Sequence, residues 1–269
     1  GTPRDLHSFP TRRSSDLPAL VSGVTVRNTG LIFPSAIAIW GDKLSRIARN
    51  TISGTSYSAI VCGGDSTIIE RNRISDVMRV LTDGGAIYIT FCRHSIVREN
   101  LVTGRRMEGG AHAYYMDEQA DSCVVERNIS IGLAWPSHNH MTKNCAIRDN
   151  VFVTGGIQML SFPRTRNLTF ERNILVADSV AFHAPPDALS AMTSNIVYSR
   201  SAPAVMNVLE DYSTKRTVPL EPREDTVFAD PGFVDAPGGD FRFRPGSIAP
   251  GMGIRSLGTI REFTERMRN

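Results

Sequence analysis

The residues best suited to chemistry are three acids in the middle of the chain. Asp117 and Glu118 are adjacent, and Asp83 precedes two glycines. A pair of carboxyl groups on one face is what acid–base or nucleophilic cleavage of a glycosidic bond requires. A proton-donating carboxyl needs a raised pKa, which partial burial or a neighbouring like charge provides. These acids are the candidate catalytic groups, although Asp83 also fits a turn and the adjacent pair also fits a solvated strand end.

Aromatic residues and histidines accompany these acids. His138 and His140 alternate, so in a strand both would face the same way, as two metal ligands would, but no third ligand lies at a sensible spacing. Aromatic faces stack on sugar rings, and the candidates for substrate contacts are Tyr88, Tyr115 and Trp135, together with His138. The two tyrosines align one coil apart, and such a pair is more often a stack that supports the core than a platform for sugar. His183 falls near the same column further along the chain. The mixture of acids and aromatic rings favours sugar chemistry.

Arginines in two long turns leave a second chemistry open. Arg79, also a candidate substrate contact, Arg105 or a lysine could remove the proton α to a uronate in a polysaccharide lyase, with acids holding Ca²⁺. Few acids cluster as Ca²⁺ ligands do, so hydrolysis is preferred and no cofactor is expected outside the lyase alternative. A non-catalytic glycan-binding protein is the third possibility, because a fold alone never implies activity.

An asparagine repeat must position these residues. It recurs in steps of 22, 22, 28, 28, 22, 23 and 22 residues, at Asn28, Asn50, Asn72, Asn100, Asn128, Asn150, Asn173 and Asn195. Positions three before and two after each asparagine are mostly apolar, whereas those between are charged, which is the period-two pattern of a strand. A coil this short buries its apolar face only by stacking on the next coil.

The repeat predicts an all-β fold, a single-stranded right-handed parallel β-helix. This solenoid would have about eight coils and a C-terminal β cap, with the asparagine amides bonded to each other as a structural ladder. The two coils that end at Asn100 and Asn128 are six residues longer, mostly before a second strand. Function concentrates in such turns. Asp83 is expected three residues before its strand, and Asp117 at the end of the next.

Three segments are expected along the chain. Residues 1–17 resemble a translated sequencing adaptor and are set apart as a leader, so the natural start and any signal peptide are expected to be missing. Residues 18–200 form the β-helix, and 201–269 form the cap and tail. The alternation from Asp240 to Arg244 predicts a strand or hairpin over the open end of the solenoid. The tail after Ile254 is expected to be a short helix or disordered.

Composition excludes several classes of partner. The net charge is +3, with 30 basic and 27 acidic residues interspersed, which does not predict nucleic-acid binding. No apolar run approaches the roughly 20 residues of a membrane span. The four cysteines form no CxxC pair and are expected to be buried as small apolar residues.

Three motifs carry a family resemblance. They are DGGAIY at 83–88, AYYMDE at 113–118 and HMTKNCAIRDN from His140, followed by the ADPGFVD and GDFRFRPGS segments. Together they resemble bacterial β-helix proteins of the pectate-lyase-like superfold, especially glycoside hydrolases of the α-L-fucosidase and xylanase type. The resemblance implies activity at Asp83, Asp117 and His140, with Glu118 as a fourth residue. It also implies a polysaccharide or oligosaccharide substrate, a secreted or periplasmic location and a monomer. The glycines that usually surround the histidine are missing here.

Overall fold

Stacked short strands dominate the structure. A computed structural model describes residues 18–104, 111–210, 213–221 and 225–268, so Arg105 lies outside the described residues. Each coil contributes one strand to each of three sheets, called A, B and C in chain order, and the pairing along the coils is parallel. The predicted all-β parallel solenoid of about eight coils is confirmed.

The strands are numbered in chain order. Sheet A contains β1 (Leu20–Ser22), β4 (Arg46–Ala48), β7 (Ile68–Glu70), β10 (Ile96–Arg98), β13 (Val124–Glu126), β16 (Ala146–Arg148), β19 (Leu168–Glu171) and β22 (Leu189–Thr193). Sheet B contains β2 (Thr25–Arg27), β5 (Thr51–Ser53), β8 (Arg73–Ser75), β11 (Leu101–Thr103), β14 (Ile129–Ile131), β17 (Val151–Val153), β20 (Ile174–Ala177) and β23 (Ile196–Ser199). Sheet C contains β3 (Ile39–Gly41), β6 (Ile60–Gly63), β9 (Gly84–Thr90), β12 (Ala111–Met116), β15 (Trp135–Asn139), β18 (Ile157–Ser161), β21 (Ser179–Ala184), β24 (Val205–Glu210) and β25 (Ser213–Pro219).

Alternation along each strand separates the interior from the surface. In sheet A the central residue of each strand faces inward, as Ile69, Val97 and Val125 do at 1% exposure each. Their neighbours Glu70 and Arg98 form an ion pair across adjacent coils on the outer face. All four cysteines are buried, which confirms that expectation. Inward columns of apolar side chains from the three sheets therefore fill the solenoid.

A ladder of buried asparagines connects sheets A and B. The side-chain oxygen of Asn128 accepts hydrogen bonds from the backbone N–H of Asn100 at 2.9 Å and from its side-chain amide at 3.0 Å. The side-chain amide of Asn128 donates in turn to Val97 O at 2.9 Å and to Asn150 Oδ1 at 3.0 Å. The same pattern runs from Asn50 to Asn195, so every coil is bonded to the next at one fixed residue.

The first coil departs from the predicted ladder. In this coil the position of the ladder asparagine is occupied by Val24, whose backbone N–H donates to Asn50 Oδ1 at 3.0 Å. Asn28 instead follows β2 in a left-handed conformation with φ 56°, where its backbone N–H donates to Ser53 O. The prediction of eight ladder asparagines is therefore wrong at Asn28. The residue of the first coil that bonds to Asn50 is Val24, which lies four residues before Asn28. At the opposite end, Asn195 donates to Thr226 Oγ1 at 3.2 Å.

The C-terminal segment lies along the solenoid wall. Parallel pairing continues past residue 200 into β24, and β25 returns antiparallel to it. The hairpin of β26 (Phe233–Asp235) and β27 (Asp240–Phe243) is followed by a 3₁₀ turn at Ala249–Met252 and by α1 (Ile260–Arg268). Phe241 packs in one cluster with outward residues of sheet B, so the hairpin covers a sheet face, while Val227 pairs with Ile196 at the coil end.

The expected hairpin and the short helix are thus present. The hairpin lies against the outer face of sheet B and not over the open end of the solenoid, because that face is apolar. The members of that face in the cluster are Leu101, Ile129, Val151, Val153, Ile174, Val176 and Ile196. No helix among the described residues is long and apolar enough to cross a membrane.

The ladder yields a stability prediction. Asn128→Ala should lower the free energy of unfolding by on the order of 3 kcal/mol, because it leaves several buried backbone and amide groups without partners. Urea denaturation measures the change. Ser190→Ala, which alters an exposed polar strand residue, is the control and should stay within about 0.5 kcal/mol of the parent. Equal effects of the two changes would contradict a structural role for the ladder.

Candidate functional site

The outer face of sheet C carries a continuous column of side chains in register. Successive pairing partners along the coils are Trp40, Val61, Tyr88, Tyr115, His138, Ser161, His183 and Asn207. We call this set the sheet C column. The predicted alignment of Tyr88 with Tyr115, and of His183 with the same column, is confirmed. Both tyrosines belong to the outward column and not to the core.

Asp117 is held by two side chains from the coils on either side of it. The Tyr88 hydroxyl donates to Asp117 Oδ2 at 2.5 Å, and His140 Nδ1 lies 2.7 Å from Asp117 Oδ1. Asp117 directly follows β12, and His140 directly follows β15, where its backbone N–H donates to Met116 O. The stacking thus brings three consecutive coils to one carboxyl group. Asp117 is only 9% exposed.

This arrangement fixes the carboxyl group in orientation. One donor occupies each oxygen, so rotation of the carboxyl would break a bond on both sides. The pKa of Tyr88 is raised by burial and by its hydrogen bond to Asp117, which keeps the phenol protonated and able to donate at neutral pH. A carboxylate beside an imidazole is a common unit for moving protons, since the acid selects the histidine tautomer.

An aromatic cluster covers the surface next to Asp117. The ring of Tyr115 lies 4.8 Å from Tyr88 and 4.4 Å from His138, between centroids. The ring of His112 lies 5.0 Å from that of Tyr115 and 5.6 Å from that of Trp135. The parallel pairing of β12 with β15 places Trp135 beside His112 and His138 beside Tyr115. The rings pack against one another up to the carboxyl group, with Tyr115 and His112 each 5% exposed and Trp135 and His138 partly exposed.

Burial keeps two of these histidines neutral. The pKa of His112 is lowered to about 4, chiefly by burial, against a partly opposing hydrogen bond with Gly84 O. The pKa of His138 is lowered to about 2 by burial and then by the neighbouring histidines. Neutral imidazoles and phenols therefore make up the ring surface around neutral pH.

Asp83 lies at the turn that leads into this surface. It is exposed, has a left-handed backbone with φ 62°, and its carbonyl accepts the Tyr57 hydroxyl at 3.0 Å. The charges of Asp83 and Asp117 both raise the pKa of Tyr57 and of Tyr115, after the larger effect of burial, so both acids lie near these two rings. The strand β9 begins at Gly84, directly after Asp83. The expectation of a three-residue gap is wrong, because the two glycines themselves pair with β12.

Gly85 allows the close approach of β12. A Cβ atom there would lie 3.0 Å from Tyr115 Cβ and 3.4 Å from His112 O. The diglycine after Asp83 therefore has a packing role, because it lets the rings of the next coil lie directly over the strand.

Two predicted residues are not brought to Asp117. Arg79 lies on the first long turn, half exposed, with Asp76 as its ion-pair partner at 3.7 Å. Glu118 follows Asp117 in the turn, and its carbonyl accepts the backbone N–H of Phe91. Its side chain has no hydrogen-bonding partner among the described residues. Their assignment to catalysis and binding stays a prediction.

Sequence reasoning missed Tyr57 and the contact between His183 and Asn207. Tyr57 reaches Asp83 from the preceding coil, and no repeated feature of the sequence marks it. His183 Nε2 lies 2.7 Å from the Asn207 amide, and Asn207 Oδ1 accepts the Thr217 hydroxyl at 2.7 Å. Within the described ranges no group of three or more histidines, cysteines and acids has the geometry to hold a metal ion.

Comparison with known proteins identifies the scaffold. The family described as "Right handed beta helix region" matches residues 35–199, which is more than half of the chain and includes Asp83, Asp117 and His140. No curated protein and no solved structure matched the chain.

The buried histidines predict a pH dependence of stability. Their folded-state pKa values of about 4 for His112 and about 2 for His138 lie below the ordinary 6.5, so the unfolded chain takes up protons first. Their contribution is complete above about pH 6.5 and is lost as the pH falls toward 4. Thermal unfolding at pH 7 and pH 4.5 measures it. The His112→Asn/His138→Gln variant should lose less stability than the parent over this range, whereas an equal loss would contradict the assignment.

Proposed function

The chain belongs to the right-handed β-helix family, and on that premise we propose that it is a carbohydrate-active enzyme, specifically a glycoside hydrolase. The observation that supports this is the carboxyl group of Asp117, oriented by Tyr88 and His140 at the edge of an aromatic surface. Burying an acid and ordering two donors around it costs free energy, and the packing of the strands does not require that cost. Such arrangements are concentrated at functional sites.

In the proposed reaction Asp117 acts on the glycosidic bond and Asp83 is the second carboxyl group. Two such groups cleave the bond as acid and nucleophile or as acid and base. Tyr88 and His140 contact Asp117 directly and hold it in position, and the imidazole is suited to exchange a proton with it. Asp83, exposed at the turn, is suited to meet water from the solvent side.

The ring surface supplies the binding contacts. Trp135 and His138 are partly exposed near Asp117, and His138 packs on the largely buried ring of Tyr115. Sugar rings expose C–H faces that pack on aromatic side chains, so a pyranose laid on this surface would bring its linkage to the carboxyl group. Substrate contacts are therefore proposed for these three residues and for Tyr88.

A lyase receives less support from the surroundings of Asp117. Abstraction of a proton α to a uronate is helped by a cation that neutralises the sugar acid. Arg79 lies on a turn with Asp76 as its partner, and the groups that face Tyr115 include two acids. Hydrolysis of an uncharged glycan fits these charges better.

Product analysis separates the candidate functions. The protein is incubated with neutral and uronate-containing polysaccharide fragments, and both reducing ends and ultraviolet absorbance are followed. Hydrolysis predicts new reducing ends without an absorbing product. An absorbing unsaturated product would establish a lyase instead, and binding without any cleavage would establish a glycan-binding protein. Either of the last two results would overturn the proposal.

Substitutions at the centre give the matching prediction. Asp117→Asn should lower kcat/KM by about 10³-fold, because the group that transfers the proton or forms the bond is gone. Tyr88→Phe should lower kcat/KM by about tenfold, because one of the two orienting hydrogen bonds is lost. Initial rates on a cleaved glycan measure both.

The matched control is Asp187→Asn, at a largely exposed aspartate whose nearest ion-pair partner is Arg166 at 3.8 Å. It should retain the parent rate. An Asp117→Asn protein with full activity would exclude Asp117 from catalysis.

A further inference from the structure

Trp40 is an exposed aromatic residue on the same sheet face as the Asp117 centre. It is 64% exposed, whereas Ile39 before it is 6% exposed and Gly41 after it is buried. A Cβ on Gly41 would meet Cys62 Sγ and Ile47 Cδ1, both in the interior, so the alternation of β3 turns the indole outward. An indole turned outward in this way offers an apolar face on which a sugar ring can pack.

The register connects Trp40 to the proposed catalytic centre. Trp40 pairs with Val61, Val61 with Tyr88, and Tyr88 with Tyr115. Three steps of about 4.8 Å separate β3 from β12, so Trp40 lies about 14 Å along the solenoid from β12, the strand that Asp117 directly follows. One strand step is close to the length of one sugar residue, so the rings lie at spacings that a glycan chain can match.

A second tryptophan lies on the other side of Asp117. Trp135 is in β15, one strand beyond β12, where it pairs with His112. Its ring lies 6.1 Å from that of His183, further along the same face. The two tryptophans of the chain therefore bracket the acid, one on each side, along the direction in which the coils stack.

The charges on this face select the type of sugar. The sheet C column contains no lysine or arginine among its eight members, from Trp40 to Asn207. Its histidines His138 and His183 have pKa values lowered by burial, and the acids that face Tyr115 are Asp83 and Asp117. At the described members of the sheet C column a uronate chain would meet no cation and would lie near these carboxyl groups, whereas a neutral chain would meet aromatic faces and hydrogen-bonding groups.

We infer that Trp40 forms a distal subsite for a neutral oligosaccharide that runs across the strands of sheet C and is cleaved internally, between Trp40 and Trp135. The inference rests on the proposed hydrolase function and adds the charge class, the direction and the minimum length of the substrate. A chain that reaches from Trp40 past Asp117 needs at least four sugar residues. Shorter sugars occupy the surface near Trp135 and do not touch Trp40.

Intrinsic fluorescence tests this directly, because Trp40 and Trp135 are the only tryptophans. In an Asp117→Asn background, which prevents turnover, Trp135→Phe leaves Trp40 as the sole reporter and Trp40→Phe leaves Trp135. The probes are xylose-, mannose- and glucose-based oligosaccharides from disaccharide to hexasaccharide, with oligogalacturonates of the same lengths. Trp40 emission should respond to at least one neutral hexasaccharide and not to the disaccharide, while Trp135 responds to both.

Affinity provides the second readout. Trp40→Ala should weaken hexasaccharide binding about tenfold and leave disaccharide binding unchanged. The matched control Phe228→Ala, at another exposed aromatic residue outside sheet C, should change neither. Circular dichroism of each variant verifies the fold.

Distinct results separate this inference from the hydrolase proposal. A Trp40 signal with a neutral hexasaccharide that the parent protein does not cleave supports the subsite and overturns the hydrolase. Cleavage of a neutral glycan with a silent Trp40, or equal affinity of Trp40→Ala for long and short sugars, overturns the subsite alone. Stronger binding of oligogalacturonate than of every neutral sugar overturns the charge assignment.

Discussion

The fixed register between stacked coils is the constraint on which the rest of the structure depends. Each coil is too short to bury its own apolar residues, so it is stable only against its neighbours. The asparagine amides bond one coil to the next at the same residue, as Asn100 does to Asn128. A slip of one residue in the register of two coils would turn the apolar side chains outward and would also break the asparagine ladder. Position along the repeat therefore fixes position in space to within one strand spacing.

The site follows from that register and needs no special fold. Tyr88, Tyr115 and His138 stand in one column because their strands pair without offset. Asp117 and His140 are the first residues after their strands, where the chain leaves the sheet and side chains can turn toward a neighbouring coil. The scaffold thus supplies a rigid array of side chains in a fixed register. Rigid support of this kind is what an oriented carboxyl group requires.

Patterns that repeat were predictable from the sequence, and those that occur once were not. The columns beside the asparagines and the alignment of the two tyrosines followed from a regular step. Asn28 shares the local letters of the repeat but not its hydrogen bonds, because the first coil has a different offset. The contact between Tyr57 and Asp83 joins two irregular turns, and no periodicity marks it. Likewise, the side chosen by the C-terminal hairpin depends on an apolar face of sheet B that only the assembled solenoid presents.

The central claim is that Asp117, held by Tyr88 and His140, acts on a glycan lying along sheet C. A crystal structure of the Asp117→Asn protein with a neutral hexasaccharide tests it most directly. Sugar rings should lie along the sheet C column, with one glycosidic oxygen within hydrogen-bonding distance of residue 117. A glycan bound on sheet A or sheet B, or one whose linkages all lie beyond the reach of residue 117, would contradict it.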